Sequence, residues 1–344
     1  MLTENQINEI KEHLEKAQNP LFFFDNDNDG LCSFLLLRRY LDRGKGIAIK
    51  SFPDLSVSYF KRVKELNPDY IFILDKPIVS QEFLDKIKEA NLPVVWIDHH
   101  AVEKPDVENY YNSYFHNNGE PGEPVSYLCY KITNKKEDIW LAMIGGISDC
   151  FMPDFFNEFD KKYPELSMKN PKSPFDLLYN SEIGRIARIL DFSLKDTTTN
   201  VVNMLKFMIK VNSPIEVLEE NAKTKQILNR YEQINKKYKE LMKKARQNLG
   251  NKLIYFQYGG DFSLSSNLAN QLSYEFPNKF IVVVYINGDI ANISMRGKNA
   301  LKLTSEAIQD IPGATGGGHE GATGAKMSVS DLPLFRDKME AMIS

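Results

Sequence analysis

Along the first hundred residues, short and wholly apolar runs alternate with stretches whose apolar positions recur at helical spacing. Residues 22–25, 47–52, 70–74 and 93–97 carry near-continuous apolar character and read as buried strands. Between them, residues 32–41, 58–66 and 81–90 read as helices, the last with Leu84, Ile87 and Ala90 on its apolar face. An opening helix is predicted from Thr3 and Gln6, which have the spacing of a capping box, and from the period of Ile7, Ile10, Leu14 and Ala17; Pro20 ends it. Strands without polar alternation, separated by helices, predict an α/β unit with a parallel sheet covered on both faces. Ligands of such sheets bind beyond the carboxyl ends of the strands.

Residues 101–124 are rich in Asn, Tyr, Gly and Pro and read as an irregular connection. Helices follow over 125–132 and 139–147, the second leading into Gly145-Gly146-Ile147-Ser148-Asp149. The stretch 151–212 is mixed, with short helices expected near 181–189 and 201–209. Ser213-Pro214 then opens the longest helical pattern, with Gly250 placed to end it. Its basic residues outnumber its acids, as on the solvated face of a connecting helix, and could also follow a nucleic-acid backbone. Past Gly250, strands are expected at 252–256, 280–286 and 289–295, the last two joined by the hairpin pair Asn287-Gly288, with a helix over 265–275. The expected organisation is a parallel-sheet domain over 1–212, a connecting helix over 213–250 and a smaller α+β domain over 251–344.

Composition narrows the class. A chain of 344 residues with a net charge of −3 suits two soluble domains and argues against a broad basic face coating duplex DNA. No apolar run is long enough to span a bilayer and no basic-then-apolar leader opens the chain, so the expected compartment is the cytoplasm and no membrane partner is expected. Cys32, Cys129 and Cys150 have no C-x-x-C spacing and read as small buried apolar residues, not as a disulfide or zinc framework.

The candidate chemistry lies where the apolar strands stop. Phe22-Phe23-Phe24 runs into Asp25-Asn26-Asp27-Asn28-Asp29-Gly30, three carboxylates whose mutual repulsion demands a compensating charge. The spacing opens like a calcium loop, but no acid follows before Asp42, so that motif is incomplete. The third strand ends in Asp75, the fourth in Asp98-His99-His100, and the apolar stretch 139–147 in Asp149. Taken singly, each acid is an ordinary turn or cap residue. Together, Asp25, Asp27, Asp29, Asp75, His99 and Asp149, with Asp98 and His100 alongside, have the composition of a two-metal site. Carboxylates with imidazole favour Mn²⁺, with Mg²⁺ as the second choice. Two ions about 3.5–4 Å apart would clamp a phosphoryl group.

Taken in order, Asp25-x-Asp27-x-Asp29-Gly30, Asp75, Asp98-His99-His100, Asp149 after Gly-Gly-Ile-Ser, and Gly316-Gly317-Gly318-His319 resemble the motifs of the DHH phosphoesterase superfamily. The first block is similar to the RecJ-like, archaeal-type version, which carries a DHH-associated C-terminal domain. The resemblance implies that Asp25 and Asp27 bind one ion, that Asp29, His99 and Asp149 bind the other, and that Asp75 bridges them. It makes Asp98 the residue that orients a neighbouring imidazole and His100 the contact to phosphate or leaving group. Ser294, Arg296, Gly317, Gly318 and His319 would hold the substrate's terminal phosphate or nucleotide, through the planar fork of arginine and bare backbone N–H groups. One departure is Lys76-Pro77 after Asp75, bulkier than the small residues common there.

The resemblance implies a metal-dependent phosphodiesterase that releases mononucleotides from single-stranded DNA or RNA by in-line attack of water. Very short substrates (short oligonucleotides such as nanoRNA, pAp or a cyclic dinucleotide) are the enzymatic alternative, and an inactive replication scaffold is the alternative of another class. Replication or repair proteins are the protein partners that the resemblance allows. Sugar choice, polarity, minimum length and oligomeric state are left open by the sequence.

Overall fold

The computed structural model describes residues 1–51, 54–117, 122–247 and 250–343, with the backbone alone at His319. Contacts divide the chain into two compact units, Met1–Tyr231 and Glu232–Ser344.

The first unit is built on a parallel sheet. Helix α1 (Glu4–Lys16) starts from the Thr3/Gln6 capping box, and β1 (Pro20–Asp25) is followed by α2 (Asn28–Leu41) and β2 (Lys45–Ile49). Then come β3 (Asp54–Leu55), α3 (Phe60–Leu66), β4 (Tyr70–Leu74), β5 (Ile78–Val79), α4 (Gln81–Glu89), β6 (Val94–Asp98) and β7 (Tyr110–Asn112). The main sheet has the order β2-β1-β4-β6-β7, while β3 and β5 pair separately. All pairings in both sheets are parallel. Chain order reverses between β1 and β4, so the crevice expected of such a sheet opens at their carboxyl ends.

Strand geometry sorts the apolar run of β1 onto the two faces of the sheet. Leu21 and Phe23 join Ile71, Ile73, Phe83, Ile87 and Trp96 in one buried cluster. Phe22 stacks on Phe72 and Phe24 on Phe34 of α2, with ring centroids 5.1 and 4.9 Å apart. Helices α5 (Val125–Thr133) and α6 (Ile139–Ser148) pack with α2, and α6 is apolar all round because nearly every residue in it is buried. Helices α7 (Phe156–Lys162), α8 (Pro174–Asn180), α9 (Glu182–Leu194) and α10 (Thr198–Lys210) complete this unit, so the mixed stretch after 151 is more helical than its sequence pattern predicts.

Several expectations are corrected. Helix α2 begins at Asn28 instead of Cys32, because Asp27 accepts the Gly30 N–H as its N-cap. The stretch 101–124, read as irregular, contains β7, a short edge strand with too few residues to show a period. The helix expected over 213–250 starts only at Lys225: a 3₁₀ turn, Pro214–Val217, precedes it, and Asn221 and Thr224 exchange side-chain-to-backbone hydrogen bonds that compete with helix continuation. Helix α11 is thus Lys225–Ala245, and residues 248–249 at its expected end lie outside the described residues. Cys32 and Cys129 are buried as expected, but Cys150 is exposed in the turn that ends α6.

The second unit is a mixed sheet of β8 (Leu253–Gly259), β9 (Phe280–Asn287), β10 (Ile290–Arg296), β11 (Thr315–His319) and β12 (Ala322–Ser328), in the order β11-β12-β10-β9-β8. Only β8 and β9 are parallel. Helices α13 (Ala300–Ile308) and α14 (Leu332–Ile343) cover the face made by Val282, Val284, Ile293 and Met295. Helix α12 (Ser265–Glu275) packs on β9 and β10. The glycine run read as a phosphate-binding loop is instead the edge strand β11. Gly318, at φ +141°, comes so close to the Ala322 backbone that a side chain there would collide with it.

Gly30 holds the first turn of α2 against β1: a Cβ there would stand 2.5 Å from Asp25 O and 2.7 Å from Asp25 N. Both are backbone atoms of a buried strand and cannot give way cheaply. Gly30→Ala should therefore cost about 1–3 kcal/mol in denaturant unfolding, as overpacking does. An unchanged midpoint would show that the acidic loop is looser than this packing requires.

Candidate metal centre

Strands β1, β4 and β6 are neighbours in a parallel sheet, so their carboxyl ends bring Asp25, Asp75 and Asp98-His99 to one edge. Asp75 leaves β4 at φ +57°, in the left-handed region, and is held there by its N–H donating to Ile97 O at 3.0 Å. The Trp96 indole N–H donates to Lys76 O at 2.9 Å and pins the same turn. Asp149 arrives as the C-terminal cap of α6, and it is exposed.

Asp29 is fixed by the start of α5. Its Oδ2 accepts the Val125 N–H at 2.7 Å, and its Oδ1 accepts the Ser126 N–H at 3.0 Å and the Ser126 hydroxyl. The acidic loop is thus distributed over two helix N-termini, where partial positive charge favours carboxylates: Asp27 and Asp29 at the first turn of α2, and the Asp29 carboxylate at that of α5. Asn28 anchors the loop from behind, donating to Ser148 Oγ and Ala187 O, each at 2.9 Å.

His99 lies at the meeting point. Its Nε2 is 3.3 Å from Asp75 Oδ1 and 3.5 Å from Asp149 Oδ2, while Nδ1 faces Gly122 O at 3.4 Å. Among the described residues, two groups could hold a cation: Asp29, His99 and Asp149, and Asp75, His99 and His100. The Asp75 Oδ1 atom is buried without a hydrogen-bond partner among the described residues. A buried acceptor aimed at an imidazole nitrogen and at other acceptors fits a divalent cation better than any protein donor present. Oxygen ligands with one imidazole nitrogen suit Mn²⁺ or Mg²⁺.

Electrostatics point the same way. Burial, then the charges of Asp29 and Asp27, pushes Asp75 well above the ordinary carboxylate range. Burial and Asp149 push Asp29 up. Asp27 is exposed by area yet closely surrounded by protein atoms, and that loss of hydration, followed by repulsion from Asp25 and Asp29, raises it to about 7. Burial pulls His99 down, but Asp149, Asp75 and Asp29 outweigh it and hold the imidazole well above its ordinary value. Protons take the place of missing positive charge.

Asp98 is wholly buried and accepts from His100 Nδ1 at 2.8 Å, from Tyr110 OH at 3.3 Å and from Asn112 Nδ2 at 3.4 Å. Burial raises its pKa, yet the nearby His100 and His99 bring it below the ordinary range, so it stays ionised and orients the His100 ring. The sequence reading missed Tyr110, Asn112 and Ser126, which support the site. The Asn-rich spacing near β7 could have signalled Tyr110 and Asn112, whereas no local pattern marks Ser126 at the start of α5.

Two predicted ligands, Asp25 and Asp27, belong to neither cation group among the described residues: Asp27 caps α2, and Asp25 faces a lysine. The Asp25 Oδ1 meets Lys76 Nζ at 2.9 Å.

In the second unit, alternation on β10 turns Ser294 and Arg296 away from the α13/α14 core and toward α12. Ser294 Oγ donates to Ser265 Oγ at 2.9 Å. Arg296 donates to Asn270 Oδ1 at 2.6 Å and Ser266 Oγ at 3.0 Å. Register places Gly317 in the row of Ser294 and the His319 backbone in the row of Arg296, both across β12. The His319 side chain, a predicted phosphate contact, lies outside the described residues. Ser265, Ser266 and Asn270 were not singled out from sequence, although paired serines opening a helix are a recognisable signal.

A profile of the DHH family, N-terminal domain, matches residues 21–147, and one of the DHHA1 domain matches residues 249–344. RecJ in complex with Mn²⁺ from Thermus thermophilus is similar at a TM-score of 0.69 and 13% identity, over 98% of this chain and 54% of that one. The chain therefore spans about half the length of that relative. A structure described as exonuclease RecJ bound to manganese is similar at a TM-score of 0.66 and 14% identity, over 98% and 93%. A DHH domain described as a member of the s1p family of ribosomal proteins is similar at 0.70 and 13%, over 98% and 89%. At such identity the likeness establishes the fold. No curated protein sequence matches significantly.

The raised groups predict how stability depends on pH. Asp27 binds a proton in the folded chain between its unfolded value of 3.8 and about 7, and His99 does so above 6.5. Both contributions are present at lower pH and are lost as pH rises through the folded values. With divalent cations chelated away, the melting temperature should fall between about pH 6 and about pH 8, and Mn²⁺ should raise it more at the higher pH, where fewer protons compete. A cation effect that shrinks toward high pH would contradict this assignment.

Proposed function

The chain belongs to the DHH family, with its N-terminal domain followed by a DHHA1 domain, and from that premise we propose that it is a RecJ-like, metal-dependent phosphoesterase, an exonuclease releasing mononucleotides from single-stranded DNA or RNA. One observation carries the reading: acids and imidazoles from four separate elements converge around the buried Asp75 carboxylate, whose Oδ1 is 3.3 Å from His99 Nε2. Relatives described as exonuclease RecJ bound to manganese support both the activity and the preferred ion.

In this reading Asp29, Asp75, His99 and Asp149 hold divalent cation. The cation, when bound, supplies Lewis-acid neutralisation of a phosphoryl oxygen and lowers the pKa of water. The remaining work falls to the chain. Asp98 keeps the His100 ring oriented, and His100 meets the phosphate or gives a proton to the leaving oxygen. The N-terminal unit carries catalysis. The 251–344 region binds substrate: Arg296, Ser294 and the Gly317-Gly318 backbone hold a terminal phosphate, with His319 assigned to the same task. Charge-assisted bonds from Arg296 orient the phosphate, and the hydroxyls of Ser265 and Ser266 add neutral donors. The expected compartment remains the cytoplasm, among the replication or repair proteins that generate single-stranded ends. Among the described residues no helix is long and apolar enough to cross a membrane.

Purified protein with Mn²⁺ should shorten end-labelled single strands by single nucleotides, and Asp75→Ala should abolish the reaction. His100→Ala should lower kcat by about 10²–10⁴, the usual share of an acid–base group. Arg296→Ala should raise KM roughly 10-fold or more with a smaller change in kcat, as loss of a charge-assisted bond does. A length series labelled at either end, in DNA and RNA, together with pAp and cyclic dinucleotides, reads substrate class directly. Hydrolysis confined to pAp or dinucleotides would replace the exonuclease reading, and no hydrolysis of any of them would favour a scaffold.

A further inference from the structure

Lys76 is not accounted for by the mechanism above. It is 1% exposed, and its ammonium lies 2.9 Å from Asp25 Oδ1 and 3.2 Å from Ser51 O. A lysine charge is almost never buried this completely unless a partner offsets its lost hydration. Asp25, the partner here, is the first carboxylate of the acidic loop. The family resemblance makes it a ligand for one of two ions.

The other geometry agrees. Both groups able to hold a cation include His99. Asp75 and Asp149 face the same His99 nitrogen, Nε2, while Nδ1 faces a backbone carbonyl. A carboxylate can bridge two ions, but an imidazole nitrogen has one lone pair and serves one. The two groups therefore describe a single ion's surroundings. Asp27, the other acid that the resemblance assigns to a second ion, caps α2 by accepting the Gly30 N–H and, like Asp25, belongs to neither cation group among the described residues.

We propose that the Lys76 ammonium takes the place of one of the two divalent cations, so that this chain holds a single tightly bound ion, at Asp29, Asp75, His99 and Asp149. Lys76 is a charge-compensating and positioning residue: fully buried, it cannot meet substrate. The turn that places it is fixed by the left-handed Asp75 and by the Trp96 indole bond to its own carbonyl. Fixed charge from the chain neutralises Asp25 at any metal concentration. Metal dependence then follows one binding event. The inference rests on the metal-centre reading above but not on any particular substrate.

Counting ions decides it. Chelated protein would be titrated with Mn²⁺, with free ion followed by electron paramagnetic resonance and bound ion by its low-temperature spectrum. The unaltered chain should take up one tight equivalent with the hyperfine pattern of an isolated ion. Lys76→Ala, checked for folding by circular dichroism, should gain a second equivalent and the pattern of a spin-coupled pair. Asp25→Asn should keep the single ion. Should Lys76→Ala fail to fold, Lys76→Met retains side-chain volume, and the unaltered chain and Asp25→Asn decide in any case. Two tight, coupled ions in the unaltered chain, or loss of an ion in Asp25→Asn, would overturn the proposal. A one-ion protein that cleaves no phosphodiester would sink the proposed activity and leave this inference standing, and an active two-ion protein would do the reverse.

Discussion

Mutual repulsion among the carboxylates at the sheet edge is the constraint that the first unit is built to satisfy. Two unit charges about 4 Å apart interact with roughly 4 kcal/mol at the effective dielectric of a protein surface, and more when buried. The chain brings several kinds of positive charge to bear. Helix N-termini receive Asp27 and Asp29, the imidazoles of His99 and His100 stand among the acids, and the Lys76 ammonium is buried against Asp25. What these leave uncompensated is concentrated at Asp75 and Asp149, the acids around His99 Nε2, and there the raised pKa of Asp75 and of His99 records the deficit.

The architecture makes that concentration unavoidable. Parallel strands deliver all their carboxyl ends to one edge, and the order β2-β1-β4-β6-β7 places the three acid-bearing ends side by side. The surrounding core is rigid where precision is needed. Phe24 stacks on Phe34 beneath the loop, Gly30 allows α2 to sit directly on β1, and the indole of Trp96 holds the Asp75-Lys76 turn. Even the short strand β7 has a use, because Tyr110 and Asn112 reach Asp98 from it. The second unit uses a different device. Two-residue alternation on β10 commits one face to an apolar core and leaves Ser294 and Arg296 to the polar start of α12.

Much of this was legible in the chain. Near-continuous apolar strands separated by amphipathic helices specify a parallel α/β sheet, since only burial on both faces removes the need for alternation. The acids stand out because each follows such a run, and a polar residue at the end of a buried strand must face the sheet edge. The hairpin between β9 and β10 was readable for an equally local reason, although its two-residue turn is Gly288-Asp289, one position past the expected Asn287-Gly288, because Asn287 still pairs with Ile290; the turn requires positive φ, and Gly288 supplies it at +58°. Local signals failed where competing hydrogen bonds or brevity mattered. The long helix starts late because Asn221 and Thr224 bond to the backbone ahead of it, β7 is too short to carry a period, and the glycine run is an edge strand instead of a loop.

By itself, then, the sequence determined which residues carry charge, which elements they terminate and which face of each element is apolar, because those properties depend on near neighbours and on periodicity. Tertiary structure alone decided who answers each charge. That Lys76 pairs with Asp25, fifty-one positions away, while Ser126 binds Asp29 from the start of another helix, follows from strand order and from a few ångströms of helix placement. Coulomb energy and desolvation vary steeply over those distances, and no spacing along the chain encodes them.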